Sequence, residues 1–248
     1  MLKQIIVVGA GLAGLGAAIS CLLAGHDVQI LEAAEEIREV GAGIQVLPNS
    51  SRILQHWGLQ EALTPHMTFP RVCNFVGWKG NLISSLDFQE SEKQYPGTWY
   101  RDFHRADLQR CLVERARELG CNIACGARIV DIQVLREEPT STVISADGRE
   151  WKGDLVIGAD GVFGKLTEVL LGRPDPPVKT GDLAYRLLLS TEKMLQDPEL
   201  AGFVTDPQVN YWLGPDAHAG RILRYRKTTI ASSSPYPSEL RASRWETV

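Results

Sequence analysis

Gly9, Gly11 and Gly14 stand in the spacing G-x-G-x-x-G, and Glu32 follows eighteen residues after the last of them. Together these positions have the chemistry of a dinucleotide site. Gly9 permits a tight turn, Gly11 lets backbone approach a pyrophosphate with no Cβ in the way, and Gly14 allows a helix and a strand to pack closely. The N–H groups and the positive dipole end of a following helix would then face the phosphates. A carboxylate at Glu32 can accept hydrogen bonds from a ribose diol and would repel a ribose 2′-phosphate, which argues against an NADP pocket at this fingerprint.

The flanking residues supply the elements this site needs. Ile5–Val8 is apolar, β-branched and too short for a helix, so it reads as a buried parallel strand. An apolar helix follows from about Leu12 to Ala24, then Gly25, then a second strand Val28–Leu31 ending at Glu32. The stretch Ile5–Gly25 is uncharged and close to the ~20 residues of a bilayer span. Its glycines at 9, 11, 14 and 16 and its strand-like opening weigh against an anchor, and Lys3 alone is a poor charge complement for a signal peptide.

Downstream, EVGAGIQVLPN implies tight backbone at Gly41 and Gly43, a polar Gln45 in an apolar run, and a helix starting at Pro48-Asn49 and ending near Gly58. Residues 68–100 mix Phe69, Phe75, Trp78, Phe88, Tyr95, Trp99 and Tyr100 with turn residues, and read as strands and turns forming either an aromatic core or a wall of an apolar pocket. HRADLQRCLVERARELG (104–120) has the spacing of an amphipathic helix, with Asp107 near its N-terminus and Gly120 as its stop. Arg105 at its start is either a solvated arginine or a guanidinium fixed beside the cofactor. Strands follow near Asn122–Ala124, Ala127–Val134 and Thr142–Ala146, with a hairpin turn at Asp147-Gly148. Leu155–Ile157 reads as a second buried strand delivering Asp160-Gly161 at a carboxyl end, where open α/β sheets bind ligands.

GRPDPPVKTG (172–181) is a linker and the best boundary, placing a dinucleotide-binding domain at 1–172, with 68–100 as an insertion on its substrate side. A partial substrate domain, 173–218, would hold the strands DLAYRLLLS and QVNYWLG. From Ala219 the periodicity dissolves, and 219–248 reads as a divergent, disordered tail.

The chain has 248 residues, 44% of them hydrophobic, enough for a sizeable core. Its net charge of −4 leaves no basic footprint for nucleic acid or anionic membrane. The cysteines, Cys21, Cys73, Cys111, Cys121 and Cys125, show no zinc spacing and no disulfide framework, which suggests buried thiols in a reducing, cytoplasmic compartment. The five histidines share no spacing, and no nucleophile-and-base set is visible.

The ordered set GAGLAG…LE, GAGIQVLPN, HRADL and IGADGV resembles the group A flavoprotein aromatic hydroxylases, above all the salicylate-hydroxylase-like FAD monooxygenases of fungal secondary metabolism. The resemblance covers roughly residues 1–218. It implies an α/β, Rossmann-like FAD-binding domain with a β-sheet substrate domain that is incomplete here. It implies FAD at Gly9, Gly11, Gly14 and Glu32, with Gly43 and Arg105 also contacting it. Asp160-Gly161 would serve FAD and NAD(P)H together, and Arg186 would hold an anionic substrate as the candidate catalytic residue. The activity implied is hydroxylation of a phenolic small molecule by NAD(P)H and O₂, with the redox chemistry on the flavin. The nicotinamide would visit transiently, since one dinucleotide fingerprint is present.

Three departures from that family stand out. Its Asp-Gly motif usually continues with Ser and Arg, and the equivalents here are Gly164 and Thr167. A later Gly-Asp motif for the flavin chain is absent, and GPDAHAG (214–220) instead reads as a strand and turn of the substrate sheet. The chain is also shorter than a full member. These departures leave a second expectation, a truncated relative that binds only a dinucleotide or a partner. A third, an NAD-dependent dehydrogenase, leaves Arg105, GAGIQV and Asp160-Gly161 unexplained.

Overall fold

The computed structural model describes residues 3–37, 43–134, 140–224 and 227–235, without the side chains at 182, 186–188 and 221–235. Gly41 lies outside the described residues. In chain order the first elements are β1 (Gln4–Val8), α1 (Leu12–Leu23), β2 (Asp27–Leu31), β3 (Gly43–Val46), α2 (Pro48–His56) and α3 (Gln60–Leu63). Then come β4 (Val72–Gly77), β5 (Leu82–Asp87), α4 (Phe88–Gln94), β6 (Arg101–His104) and α5 (Arg105–Glu118). Next are β7 (Asn122–Ala124), β8 (Ile129–Val134), β9 (Ser141–Ser145), β10 (Glu150–Gly153), β11 (Leu155–Gly158) and α6 (Leu166–Leu171). The last are β12 (Asp182–Ser190), α7 (Thr191–Leu195), α8 (Gly202–Thr205), β13 (Val209–Gly214), β14 (Ala217–Arg224) and β15 (Lys227–Pro235).

The chain forms two compact units that interleave in sequence. One comprises Met1–Gly41, Ile53–Pro65 and Arg105–Pro177; the other comprises Ala42–Arg52, His66–His104 and Val178–Val248.

The first unit is built on a parallel sheet in the order β11-β1-β2-β7, with α1 as the crossover between β1 and β2. The apolar run of β1 is buried because it lies between two strands. Leu15, Ala18 and Ile19 on α1 are wholly buried, the leucine and isoleucine contributing about 2–3 kcal/mol each. Ile6, Val8 and Leu31 pack into a second core with Ala127, Ile129, Val143 and Leu166, which joins this sheet to the antiparallel sheet β10-β9-β8. Within this unit β11 corrects the expectation of a fully buried strand. It stands at the sheet edge and Leu155 is 50% exposed, because nothing among the described residues pairs with its outer side.

The second unit carries a six-stranded sheet, β12-β15-β14-β13-β4-β5, and the small antiparallel pair β3-β6. The aromatic segment, 68–100, contributes β4 and β5 to it and also a helix that strand-and-turn reading did not anticipate. That helix is α4, whose cap, Asp87, accepts hydrogen bonds from the N–H groups of Gln89 (2.7 Å) and Glu90 (3.2 Å).

The expectation of a disordered tail from Ala219 is corrected through Pro235. Residues Ala217–Arg224 and Lys227–Pro235 form a hairpin whose outer strand pairs with β12 along its whole length. Ladder hydrogen bonds come from the backbone, so a Ser/Thr-rich strand can pair without an apolar alternation to announce it. Residues 236–248 lie outside the described residues. Gly214–Ala217 is the turn between β13 and β14, with Asp216 in the left-handed region at φ 57°, a conformation short acidic side chains tolerate.

Among the described residues, no helix is long and apolar enough to cross a membrane.

Candidate functional site

The carboxyl ends of β1, β2 and β11 open on a cleft of about 420 Å³ in the first unit. Its lining includes Gly9, Gly11, Glu32, Asp160, Gly161 and Gly164. Parallel strands bring these residues together because each leaves the sheet at the same edge.

The glycines do different work there. Gly9 has φ +107°, and a Cβ on it would stand 2.3 Å from the carbonyl oxygen of Ala159, so the turn out of β1 needs glycine twice over. A Cβ at Gly14 would lie 1.9 Å from the Gly9 carbonyl oxygen, which places the start of α1 in contact with the loop it follows. Gly11 is the opposite case, with nothing within 4 Å of where a side chain would begin. That open space at a helix N-cap beside the cleft is what a pyrophosphate requires.

Glu32 holds the loop as well as facing the cleft. Its two carboxylate oxygens accept hydrogen bonds from the backbone N–H groups of Ala10 (2.7 Å) and Ala34 (2.9 Å). Each oxygen retains a second lone pair for a ribose hydroxyl. Two cations the motif reading passed over, Arg128 and Lys165, also line the cleft, and Lys165 is held by Glu168 at 2.8 Å.

Asp160 turns its carboxylate to accept the Leu166 N–H at 3.0 Å and lies where a side chain at Gly164 would have to go, 2.1 Å from the position of a Cβ. The glycine found where the family resemblance expects serine is therefore fitted to its neighbour. Gly161 follows with φ +80° and open space around it.

Three other site candidates lie elsewhere. Arg105 opens α5 in the first unit, half-buried, and is not among the cleft-lining residues. Gly43 starts β3 in the second unit, paired with His104. Arg186 lies on β12 opposite Ala231, and its side chain is outside the described ones.

The second unit contains a polar chain that motif reading did not assemble. The Tyr211 hydroxyl donates to Gln45 Oε1 at 3.3 Å, Gln45 Nε2 donates to the Tyr100 hydroxyl, and that hydroxyl donates to Asp102 Oδ1 at 3.1 Å. Asp102 is only 1% exposed. Burial, and then the Asp102 charge beside it, push the Tyr100 hydroxyl far above the usual phenol range. Burial raises Tyr211 too, partly offset by its bond to Gln45. Both tyrosines therefore stay neutral donors at ordinary pH. Phe75 stacks on Tyr211 at 5.5 Å and Phe88 on Tyr100 at 3.9 Å, which fixes both rings. In the sheet, Arg186, Ala231, Gly220, Tyr211 and Phe75 are successive cross-strand partners. The arginine and Tyr211 thus stand three strands apart, about 14 Å, with only an alanine and a glycine between them. Gln45 was visible in the sequence as a lone polar residue; its partners, 55 and 166 positions away, were not.

A family model described as FAD binding domain matches residues 3–232. The chain belongs to that family. Its glycine loop, ribose-side carboxylate and open helix N-cap fit the dinucleotide the family binds, FAD. Among individual relatives, the FAD-dependent monooxygenase OpS4 of Beauveria bassiana is 39% identical over 222 residues, covering 87% of this chain and 51% of that protein. The 6-hydroxynicotinate 3-monooxygenase of Pseudomonas fluorescens is 30% identical over 247 residues, covering 98% of this chain and 60% of that one. The chain thus spans between half and two thirds of their length. Of solved structures, CtdE in complex with FAD and a substrate superposes with a TM-score of 0.83 at 22% identity, over 96% of this chain and 58% of that one, a likeness of fold. FqzB gives 0.79 at 25% identity, over 98% and 55%.

Proposed function

We propose that this chain carries the FAD-holding and substrate-side portions of a monooxygenase that hydroxylates a phenolic small molecule with NAD(P)H and O₂. The observation that carries the reading is the cleft at the ends of β1, β2 and β11, where an open Gly11, a clamped loop and Glu32 meet. When bound, FAD supplies the redox and oxygen-activating chemistry. The residues of this chain bind and orient. Gly9, Gly11 and Gly14 shape the phosphate turn, Glu32 takes the ribose, and Arg105, Gly43 and Asp160-Gly161 hold further parts of the cofactor. On the substrate side, Arg186 takes an anionic group of the ring, and Tyr211, kept neutral, receives a ring hydroxyl.

A second reading, dinucleotide binding without turnover, is favoured by one feature. Phe163, which lines the cleft just after Asp160-Gly161, is 83% exposed, so the cleft is open to water on that side. Water reaching a reducing flavin site diverts oxygen chemistry to side products.

The visible absorption spectrum of the purified protein, followed by NADH or NADPH oxidation with and without a phenolic acid, separates the two. Bound flavin with substrate-stimulated oxidation and hydroxylated product supports the monooxygenase. Bound flavin with no substrate effect supports the second reading, and a colourless protein that takes up no FAD rejects the monooxygenase.

A further inference from the structure

We infer that Gln109 is a positioning residue that aims the Gly11 N–H at the phosphates of the bound dinucleotide. The identity of that ligand rests on the reading above; the geometry does not. Ala10 lies between the first two glycines of the loop, and both of its peptide groups are held by side chains. Its N–H donates to Glu32 Oε2 at 2.7 Å, and its carbonyl accepts from Gln109 Nε2 at 3.1 Å. The first tie comes from the end of β2 and the second from α5, so the loop is gripped between a strand end and a helix.

The second tie has a directional consequence. In a trans peptide the C=O and the N–H point in opposite directions. Fixing the Ala10 carbonyl toward α5 therefore turns the Gly11 N–H away from that helix. Gly11 lines the cleft, and no atom lies within 4 Å of its missing Cβ. The Gly9 N–H is already committed to the Leu31 carbonyl at 2.8 Å and the Ala10 N–H to Glu32. Gly11 is thus the first residue of the loop whose N–H can serve a phosphate. Without the glutamine the plane between Ala10 and Gly11 could rotate, and glycine is the residue least able to resist.

Gln109 is 6% exposed and sits on the buried face of α5 next to Leu108 and near Leu112. Packing alone would place an aliphatic residue there. A buried amide persists where its polar atoms have partners, and the loop carbonyl is one.

The test uses the full chain labelled with ¹⁵N-glycine, as wild type, Gln109→Leu and Gln109→Asn. Asparagine keeps an amide but falls one methylene short of Ala10, so it serves if the leucine variant does not fold. FAD, ADP and adenosine are titrated into each. In the wild type ADP should shift the Gly11 amide resonance. In both variants that shift should shrink, and the affinities for ADP and FAD should fall about tenfold, the worth of one hydrogen bond to a charged group. Adenosine, which has no phosphate, should bind within twofold of wild type. Unchanged ADP affinity in the variants overturns the inference. So does an equal loss for adenosine, which would mean general disorder, or a wild-type Gly11 amide indifferent to ADP. A wild type that responds to ADP at Gly11 but binds no FAD refutes the proposed function and leaves the role of Gln109 standing.

Discussion

Tyr211 and Gln45, 166 positions apart in the chain, share a 3.3 Å hydrogen bond in which the phenol is the donor. With its proton directed inward along the chain to Asp102, the Tyr211 oxygen presents lone pairs rather than a proton to a ligand. Such a group receives the O–H of a hydroxylated ring. Tyr211→Phe is expected to weaken binding of 2-hydroxybenzoate about 2–10-fold, the range for one neutral hydrogen bond, and to leave benzoate unaffected. The Phe75 stack should keep the ring in place, so thermal stability should change little. Tryptophan-fluorescence titration of the two acids measures this, and equal losses for both would reject the assignment.

The two glycines that flank the start of α1 should behave oppositely on substitution. At Gly14 an added methyl would sit 1.9 Å from a backbone carbonyl that cannot move without breaking the turn. Gly14→Ala should cost about 3 kcal/mol or more, the upper range for overpacking, and lower the melting temperature before any ligand is added. Gly11→Ala meets nothing in the free protein and should melt within a degree or two of wild type. Its methyl projects toward the cleft, so its FAD affinity should fall at least tenfold. A scan of both variants with and without FAD reads the contrast, and a Gly11→Ala protein that binds FAD normally would place the pyrophosphate elsewhere.

The parts of this site that were legible in the sequence share one property: their chemistry is local. Gly9, Gly11, Gly14 and Glu32 lie within 24 residues, and one strand-helix-strand unit positions them all. Asp160 was legible as a strand end, whereas its bond to Leu166 and its fit against Gly164 depend on a turn that six residues of sequence do not announce. Gln109 was hidden because a buried glutamine on an amphipathic helix breaks the apolar pattern without saying which carbonyl it serves. The polar chain was hidden for a different reason. Gln45 lies on β3, Tyr100 immediately before β6 and Tyr211 on β13, far apart in sequence, and pairing register is a tertiary fact. The β14-β15 hairpin escaped because backbone pairing carries a strand that has little apolar alternation.

Gly164→Ser, which restores the residue the family resemblance expects, should be harmful here. Its Cβ would fall 2.1 Å from the Asp160 carboxyl carbon and displace that side chain from the Leu166 N–H. The Leu166 N–H is one of the donors at the start of α6 with no partner inside the helix, and losing its acceptor costs about 1 kcal/mol, enough to fray a helix of six residues. Hydrogen exchange should accelerate across Leu166–Leu171 and stay unchanged in α1 and α5. Asp160→Ala should give the same local signature without any clash. If Gly164→Ser exchanges like the wild type while Asp160→Ala does not, the carboxylate has room to keep its bond to the Leu166 N–H.

Cys121 offers a check on the core of the first unit that needs no ligand. It is 7% exposed, and its Sγ lies 3.5 Å from the Val28 carbonyl. Burial pushes its thiol up to about 11, partly offset by a hydrogen bond from the Ile30 backbone. At pH 8 roughly one molecule in a thousand would then carry the reactive thiolate, against about one in four for an ordinary thiol. Iodoacetamide should therefore modify Cys121 more than a hundredfold more slowly in the folded protein than in urea, with mass spectrometry of the peptide as the readout. The same shift fixes the sign of a stability effect. The folded state holds this proton more tightly than the unfolded state, so the contribution is complete below the ordinary thiol pKa and is lost as pH rises toward about 11. Cys121→Ala should flatten that alkaline decline in urea midpoint. A wild-type midpoint as flat as the variant's between pH 8 and 11 would mean that the thiolate is tolerated where it sits, and that this end of the β2-β7 pair is open to water.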